Sequence, residues 1–442
     1  MDFRDSPEDA SYRAELRAWL DDAVADLPGS EPATLEERLD YWRPFQRRLY
    51  GAGYAGLSWP RAYGGQEASL MQQAIFLEEY DRAGAPDRIN MLGEGLAGPT
   101  IIDFGTDRQR EGFLRPILEG SDVWCQLFSE PAAGSDLAAL EARAHRERGG
   151  WRITGQKVWT SRAQIADYGM LLARTGGPRH GGITYFILPM RQPGVEVRPL
   201  RQMNGYASFN EVFLDRARVP AGNVIGEPGQ GWTVALTTLA HERRLAAYPR
   251  PPTLRPPTGG LAGRAMREAA EESERAMAPY RWYPQRAGRP DLVIERAIAA
   301  GRDTDALVRQ EIVKLITLAW SARWTAQRAA AARALGRPPG PEGSVAKLAS
   351  SNIARAAARV HAMIAGPAGM LAGATDPSGE DGRAAGGRAG IISEIFLSVP
   401  AISIAGGTDQ IQRTILAERI LGLAKEPAAD RGVAFRKVVT NG

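Results

Sequence analysis

The hydrophobic pattern of the chain changes twice, and these changes divide it into three parts. Before residue 121, apolar residues recur at helical spacing, as in "LMQQAIFLEEYDRAG". Residues 121–230 instead contain short runs rich in β-branched and aromatic residues, such as "ITYFILPM", separated by glycine, proline and polar turns. From Gly231 onward the helical pattern returns. We therefore predict an α+β fold with an N-terminal helical domain (1–120), a central antiparallel β domain (121–230) and a C-terminal helical bundle domain (231–442).

Several of the predicted helices carry their own start and stop signals. Ser6 is placed to cap the first helix. A long helix in the third part is predicted to be capped at Asp303 or Thr304, and the helix after it to run from a cap at Ser344 to Gly366. Both are alanine-rich and apolar on more than one face, which is typical of helices in the middle of a bundle.

Composition excludes several classes of protein. The single cysteine, Cys125, rules out an internal disulfide and a cysteine-based metal cluster within one chain, and the four histidines lack metal-ligand spacing, so we assign no metal. The net charge is +4 with both signs interspersed, which does not favour nucleic-acid binding. No stretch approaches the ~20 apolar residues of a membrane-spanning helix, and the start "MDFRDSPEDASYR" is acidic and polar. We predict a cytoplasmic protein without a membrane span.

Two neighbouring stretches, "CQLFSEPAAGSDLAAL" and "GWRITGQKVWTS", point to a site for a flat cofactor. A predicted strand delivers Ser129 to a turn of small residues, where a planar ligand can approach the main chain. On the next strand, Trp159 places an aromatic plane beside the hydroxyls of Thr160 and Ser161. An indole flanked by hydroxyls suits a flavin ring, whose N5 and carbonyl edges need hydrogen bonds. Trp-Thr-Ser taken alone is more often a half-buried pair with a polar neighbour.

Further motifs make the combination much more specific. They are "LAGPTIIDFGTDRQREGFLRPILEG", "FSEPAAGSD", "GQKVWTS", "FNEVFLDRARVPAGNVIGEPGQGW" and "GGTDQIQRTILAERILGL". In this order they make the sequence resemble the acyl-CoA dehydrogenase family along nearly the whole chain. The resemblance implies an N-terminal helical domain, a central β domain and a C-terminal four-helix bundle. It also implies FAD bound between domains and across a subunit interface.

The resemblance assigns roles to individual residues around the flavin. Ser129 and the backbone around Phe128 would hydrogen-bond the pyrimidine edge of the ring. Trp159 would lie against the ring, and Ser161 would reach toward N5. The implied FAD-binding residues are Phe128, Ser129, Trp159, Thr160, Ser161, Arg309, Gly366, Thr408 and Gln410.

Other implied contacts are to phosphates and to the substrate. Arg309, near the start of a bundle helix, would bind the FAD pyrophosphate, and Ser135 would lie near the CoA portion of the substrate. In the partner subunit, Gly366, Thr408 and Gln410 would close over the adenosine and phosphates. Thr408 also suits a phosphate on physical grounds, because free N–H groups and the helix dipole favour an anion at a helix start.

Dehydrogenation of an acyl thioester needs a base over the α-carbon, and the usual family position for that base holds no carboxylate here. Many members of the family have a glutamate immediately before the Gly-Thr of the last motif, whereas this chain has Gly406. The backbone N–H at this position, which in the family helps to polarise the thioester carbonyl, survives the substitution. Gly406 is therefore predicted to contact the substrate, and the proton acceptor has to come from elsewhere.

Glu242 is our candidate for that base. On a helical wheel at ~100° per residue it falls among Ala235, Leu239 and Ala246, where a carboxylate is costly unless it is paired or used. It also matches the base position in the isovaleryl and long-chain branches of the family. The alternative is an internal ion pair with Arg243 or another arginine that serves only structure.

Two neighbouring assignments accompany this one. We expect Arg243 itself to be a substrate or structural partner. Asp409 is a weaker candidate base, better explained as a first-turn acid that interacts with the helix dipole.

The first functional interpretation is an FAD-dependent acyl-CoA dehydrogenase. Glu242 would take the α-proton, the β-hydride would pass to flavin N5, and an electron-transfer flavoprotein would accept the electrons. The predicted assembly is a homotetramer or homodimer, or a heterotetramer with a paralogue. A catalytically silent subunit that completes the FAD site of an active paralogue is an alternative, motivated by Gly406. A flavin oxidase or monooxygenase on the same scaffold is another.

Two further segments are predicted to be loops. The stretches "PRPPTLRPPTGG" (249–260) and "AGATDPSGEDGRAAGGRAG" (372–390) are rich in proline or glycine. The proline-rich segment and the residues after it are longer than the family usually carries between these helices. One hypothesis is that these residues cover or reshape the acyl pocket. The alternative is that they are an exposed connecting loop without such a role.

Overall fold

The computed structural model describes residues 5–25, 27, 35–86, 88–177, 180–203, 207, 209–246, 288, 290–334, 340–370, 395–425 and 427. The chain divides into two units. The first comprises Met1–Leu200, Ser208–Leu245 and Glu426–Gly442, and the second comprises Arg201–Ala207 and Ala246–Lys425. Both segments predicted as loops, 249–260 and 372–390, lie outside the described residues.

The first unit begins with helices that pack around an apolar core. These are α1 (Pro7–Ala25), α2 (Leu35–Gly51), α3 (Leu70–Ala83), α4 (Gly98–Phe104) and α5 (Asp107–Glu119), with a 3₁₀ turn at Arg61–Tyr63 and a π-helical turn at Gly93–Ala97. Ser6 caps α1 as predicted, because its Oγ accepts a hydrogen bond from the Asp9 N–H at 3.1 Å.

A buried carboxylate joins α1 to α3. Glu79 is 2% exposed, and its two oxygens accept hydrogen bonds from Arg17 (2.6 Å), Arg82 (2.6 Å) and Arg13 (3.1 Å). The hydrogen bond from Arg17, with those from Arg82 and Arg13, lowers the pKa of Glu79 to about 2 although burial opposes the shift. Glu79 therefore stays ionised in the fold down to strongly acidic pH.

Replacing Glu79 with glutamine should lower the free energy of unfolding near neutral pH by on the order of 2 kcal/mol. The pKa of Glu79 falls from 4.5 to about 2 on folding, so its contribution is complete above about pH 4.5. That contribution is lost as the pH falls toward 2. Urea unfolding across this range should show the wild-type and variant stabilities converging in acid. Glu78→Gln, a half-exposed neighbour that bonds Arg13 alone, is the control; a pH-independent difference would contradict the prediction.

The central part of the first unit is an eight-stranded sheet. Its strands are β1 (Trp124–Leu127), β2 (Arg143–Glu147), β3 (Gly150–Ser161), β4 (Tyr168–Arg174), β5 (Ile183–Pro189), β6 (Val195–Leu200), β7 (Phe209–Pro220) and β8 (Val224–Ile225). The order is β6-β7-β3-β2-β4-β5-β8, with β1 also on β4.

The sequence predicted an antiparallel sheet, and the observed sheet is mainly but not entirely antiparallel. β1 pairs with β4 in parallel, and β2 makes a single parallel pairing with β4. A parallel pair needs a long crossover, and the chain between β1 and β4 supplies one that contains β2 and β3.

Alternation along the strands separates two apolar layers. Trp124, Phe128 and Tyr185 face a core shared with the helices, whereas Cys125 and Phe186 face a second core formed by the strands and the segments that connect them. Cys125 is fully buried, and burial raises the pKa of its thiol. A further helix, α6 (Gly231–Ala246), contributes Val234 and Ala235 to the first of these cores.

The second unit is helical. It contains α7 (Val293–Ala299), α8 (Ala306–Ala334), α9 (Glu342–Ala365) and α10 (Asp409–Arg419), and residues 395–402 are also helical. Its largest apolar cluster joins α7, α8 and α9 through Val293, Ala297, Val308, Leu315, Ala357, Val360 and Ile364.

Two predicted helix caps in this unit are wrong, whereas one helix end is confirmed. Asp305, not Asp303 or Thr304, caps α8, because its Oδ1 accepts hydrogen bonds from the N–H groups of residues 307 and 308 at 2.9 and 3.2 Å. α9 begins at Glu342, so Ser344 lies inside its first turn, and it ends at Gly366 with φ +58°. Within the described residues, no helix combines the length and hydropathy needed to cross a membrane.

Candidate active site

The turn after β1 is attached directly to β3. The carbonyl of Ser129 accepts a hydrogen bond from the Val158 N–H at 3.0 Å, which places Ser129 beside the residue before Trp159. Phe128 is 4% exposed and packs edge-on against Tyr185, whereas Ser129 is partly exposed. The structure thus brings together Ser129 and Trp159, two residues that the sequence separates by 30 positions.

Trp159 projects from a β-bulge. It has φ +62°, is 55% exposed, and lies edge-on to Phe209 with 5.8 Å between ring centroids. Ser161, two residues on, is also partly exposed. Bulges commonly re-aim a side chain next to an active site, and here the bulge presents an aromatic face beside hydroxyl groups.

Thr160 lies differently from its two neighbours. Its side chain is fully buried, its carbonyl accepts a hydrogen bond from the Asn210 amide at 2.9 Å, and its Oγ1 has no hydrogen-bond partner within the described structure. Strand alternation explains this orientation, because residues 159 and 161 point away from the core. The Thr160 side chain therefore does not share the exposed surface of Trp159 and Ser161.

The turn that contains Ser135 is open. Ser135 and Gly134 are exposed, and a methyl group added at Gly134 would meet nothing within 4 Å. Ala133 closes the start of the turn through reciprocal backbone hydrogen bonds with Glu130 of 3.0 and 3.1 Å. Ser135 is thus accessible to a ligand that approaches this side of the sheet.

Glu242 lies at the end of the buried stripe of α6. Gly231, Val234, Ala235 and Thr238 are buried along this stripe at helical spacing, and Glu242 follows one turn later with a partly buried side chain. Its Oε2 accepts a hydrogen bond from the Gln126 amide of β1 at 3.4 Å. The carboxylate therefore lies beside the strand that leads to Ser129, as an inward-facing glutamate requires.

Polar contacts fix α6 against α4 and β5. The hydroxyls of Thr238 and Thr100 lie 2.8 Å apart, and the Thr238 hydroxyl donates to the Tyr185 hydroxyl at 3.3 Å. His241 Nε2 lies 2.8 Å from Asp103 Oδ2. The Arg243 side chain lies outside the described part of the chain, so the predicted ion pair between Arg243 and Glu242 stays a prediction.

The remaining predicted site residues lie in the second unit. Arg309 is exposed in the first turn of α8, and Gln410 is exposed in the first turn of α10. Thr408 caps α10, because its Oγ1 accepts from the Ile411 N–H at 3.2 Å. Gly366 and Gly406 have φ +58° and +64°, and added methyl groups there would meet nothing within 4 Å. The backbone at Gly406 is therefore open just before a helix start, whereas a methyl group at Gly407 would lie 2.7 Å from Gln412 Nε2.

The Asp409 carboxylate is buried and hydrogen-bonded within the second unit. It is 2% exposed, and its Oδ1 accepts from Lys347 Nζ at 2.9 Å and from Ser351 Oγ at 2.7 Å. Burial alone would raise the pKa of Asp409, but the hydrogen bonds from Lys347 and Ser351 outweigh it and hold the pKa below its ordinary value. A carboxylate stabilised in this way is a poor proton acceptor, which leaves Glu242 as the stronger candidate base.

The sequence interpretation missed two buried charges in the quoted motifs. Glu130 of "FSEPAAGSD" and Lys157 of "GQKVWTS" are 7% and 0% exposed, with Lys157 Nζ 2.7 Å from Glu130 Oε1. The sequence signal that could have indicated this ion pair was the presence of charged residues of opposite sign in the two motifs. The hydrogen bond between Gln126 and Glu242 was missed as well, and no local pattern in the sequence indicated it.

The surface around Trp159 fits a flavin. It offers a half-exposed indole face with the partly exposed hydroxyl residues Ser129 and Ser161 close to it in the fold. Flat aromatic rings stack on such faces, and flavin heteroatoms need donors at their edges.

Family models cover most of the chain. The models described as acyl-CoA dehydrogenase N-terminal, middle and C-terminal domain match residues 6–121, 125–217 and 294–421. The acyl-CoA dehydrogenase IpdE1 of Mycobacterium tuberculosis is 36% identical over 432 residues, which are 94% of this chain and 98% of the relative. The chain belongs to the acyl-CoA dehydrogenase family. It is an oxidoreductase of this flavin-dependent family, and the predicted α+β fold class with its three-domain architecture is confirmed.

Solved acyl-CoA dehydrogenase structures resemble the chain over almost its full length. The Tcur3481-Tcur3483 steroid ACAD has a TM-score of 0.69 and 26% identity, and covers 96% of this chain and 100% of its own. The ChsE4-ChsE5 complex from Mycobacterium tuberculosis has a TM-score of 0.68 and 27% identity with the same coverage. The first of these is a steroid ACAD with two named components, and the second is a complex of two named components.

Proposed function

We propose that the protein catalyses the FAD-dependent α,β-dehydrogenation of an acyl-CoA thioester with Glu242 as the base. The position of Glu242 carries this proposal. Its carboxylate is partly buried and hydrogen-bonded to Gln126, three residues before Ser129 on the segment that leads to the Trp159 surface. The base has to come from another position in this chain, because Gly406 occupies the usual glutamate position.

The chain's own residues would each perform a defined part of the reaction. Glu242 would take the proton from the α-carbon. The open backbone at Gly406 would donate its N–H to the thioester carbonyl and stabilise the negative charge that develops there. FAD, when bound, supplies the acceptor for the β-hydride.

The cofactor contacts proposed here are those that the family resemblance assigns. Trp159 would cover one face of the ring, with Ser129 and Ser161 at its edges. The other predicted contacts are the backbone around Phe128, and Arg309, Gly366, Thr408 and Gln410 toward the pyrophosphate and adenosine. The buried Thr160 side chain is not assigned a cofactor contact. Ser135 would contact CoA, and Arg243 would bind the substrate or support the structure.

We further propose a bulky, steroid-derived acyl group as the first substrate class to test. One similar structure is a steroid ACAD, and the identity extends over nearly the whole chain. CoA is the proposed carrier and an electron-transfer flavoprotein the proposed electron acceptor. The cytoplasmic location stays a prediction.

A second candidate is an assembly in which this chain shares its FAD site with a paralogue. Two observations favour it: the Tcur3481-Tcur3483 steroid ACAD and the ChsE4-ChsE5 complex each have two named components, and this chain has Gly406 where the usual base would stand. A homotetramer or homodimer is the proposed assembly if the chain binds FAD alone. A heterotetramer is proposed if it does not.

Anaerobic flavin reduction tests the function and separates these candidates. The chain, purified alone and with a co-expressed paralogue, should be yellow in at least one form. That form should lose its flavin absorbance when mixed with acyl-CoAs, fastest with a steroid-derived acyl chain. A yellow protein that no acyl-CoA reduces would refute the proposal, and rapid oxygen consumption after reduction would support an oxidase instead.

A further inference from the structure

A buried ion pair lies directly beneath the predicted flavin surface. Lys157 of β3 is fully buried, and its Nζ lies 2.7 Å from Oε1 of Glu130, which is 7% exposed. Placing two charges in a protein interior is costly, and such a pair is on average no more stabilising than apolar residues of the same size. This pair therefore needs an explanation other than stability.

Each end of the pair holds main-chain atoms of the segment after β1. Lys157 Nζ also donates to the Phe128 carbonyl at 3.2 Å. Glu130 Oε2 accepts from the Glu141 N–H at 2.6 Å, and its Oε1 accepts from the Ala142 N–H at 3.0 Å. The ion pair thus fixes both ends of residues 128–142, the segment that carries Ser129 and Ser135, against β3.

The same pair is linked to the β-bulge that presents Trp159. In a regular strand, residues two apart point to the same face, so Lys157 and Trp159 would share one. Here Lys157 is fully buried while Trp159 is 55% exposed. Between the pairs Lys157↔Val212 and Thr160↔Asn210, β3 advances three residues and β7 only two, so the bulge lies between Lys157 and Thr160. An inward Lys157 and an outward Trp159 require this bulge.

We propose that Lys157 and Glu130 are positioning residues that set the flavin surface before the cofactor binds. Together they hold the Phe128–Glu130 backbone and the bulge in one arrangement, with Ser129 and Trp159 in place. Neither side chain touches the exposed surface, so they act through the residues that do. The proposal rests on the FAD site proposed above.

The test measures FAD affinity, not turnover. Lys157→Met and the double variant Lys157→Met/Glu130→Gln are made in the full chain, in the assembly that binds FAD, and the FAD dissociation constant is measured by fluorescence titration. We expect the affinity for FAD to be at least tenfold weaker in both variants. The visible absorption bands of the bound flavin should also be less well resolved. A surface pair between β2 and the same strand β3 provides the matched control, because Arg152→Met/Glu147→Gln removes an ion pair of 3.0 Å whose side chains are more than one-third exposed.

The double variant makes the result decisive. It contains no uncompensated buried charge, so its fold should survive even if Lys157→Met alone unfolds. If the pair serves only to neutralise charge, the double variant will bind FAD as the wild type does, and the positioning role is overturned. A wild-type chain that binds no FAD in any assembly would overturn the proposed function as well.

Discussion

Replacing Glu242 with glutamine should leave FAD bound but slow the reduction of the flavin by acyl-CoA by about 10²–10⁴-fold, the typical contribution of a general base. Glutamine retains the size of the side chain and an oxygen that can accept from the Gln126 amide. It has no carboxylate to accept the α-proton. The fold and cofactor affinity should therefore be unchanged while the chemical step is lost.

Stopped-flow reduction under anaerobic conditions measures this step directly. Glu227→Gln is a suitable control, because that glutamate is exposed just before α6 and has the same charge. An equal reduction rate in Glu242→Gln and wild type would assign proton removal to another group. It would also favour the interpretation of Glu242 as a structural partner of an arginine.

Gly231→Ala should both destabilise the first unit and lower the reduction rate. Gly231 is the first residue of α6, where a methyl group would lie 2.5 Å from the carbonyl carbon of Thr184 and 2.7 Å from the Tyr185 nitrogen. These are backbone atoms of a central strand, so the helix has to move. We expect a loss of roughly 1–3 kcal/mol in the free energy of unfolding, the usual cost of overpacking.

The effect on catalysis follows from the position of Glu242 on the same helix. A displacement of about 1 Å at a catalytic group can reduce the rate by about 10²-fold. Gly222→Ala is the matched control, since an added methyl group there meets nothing within 4 Å. In urea unfolding, Gly231→Ala should have a lower free energy of unfolding than Gly222→Ala. In stopped-flow measurements, its flavin should be reduced more slowly. Wild-type values for Gly231→Ala would show that the close contact with β5 does not set the position of α6.

Local sequence signals succeeded where one element carries the whole signal. Ser6 caps α1, and Gly366 ends α9 with a positive φ, because a hydroxyl at a helix start and a glycine at its end act within a few residues. The prediction of the α8 cap failed because three suitable capping residues follow one another in the sequence. Asp303, Thr304 and Asp305 are all suitable acceptors, and only the backbone conformation selects Asp305.

The candidate site shows what local signals leave undetermined. The motifs located Ser129 and Trp159, but strand periodicity alone would have placed Lys157 and Trp159 on one face. The bulge reverses this, and it exists only because β3 pairs with β7, some 50 residues later. The Lys157–Glu130 ion pair likewise depends on the segment after β1 lying against β3.

The sequence by itself determined the order of helical and β segments, the family and the residues from which a flavin site can be built, because periodicity and motifs are properties of neighbouring residues. Only the tertiary structure decided that Glu242 lies beside Gln126, 116 positions earlier, and that two buried charges support the Trp159 surface. These contacts form when distant segments bury apolar surface together, and nothing in either segment alone specifies its partner.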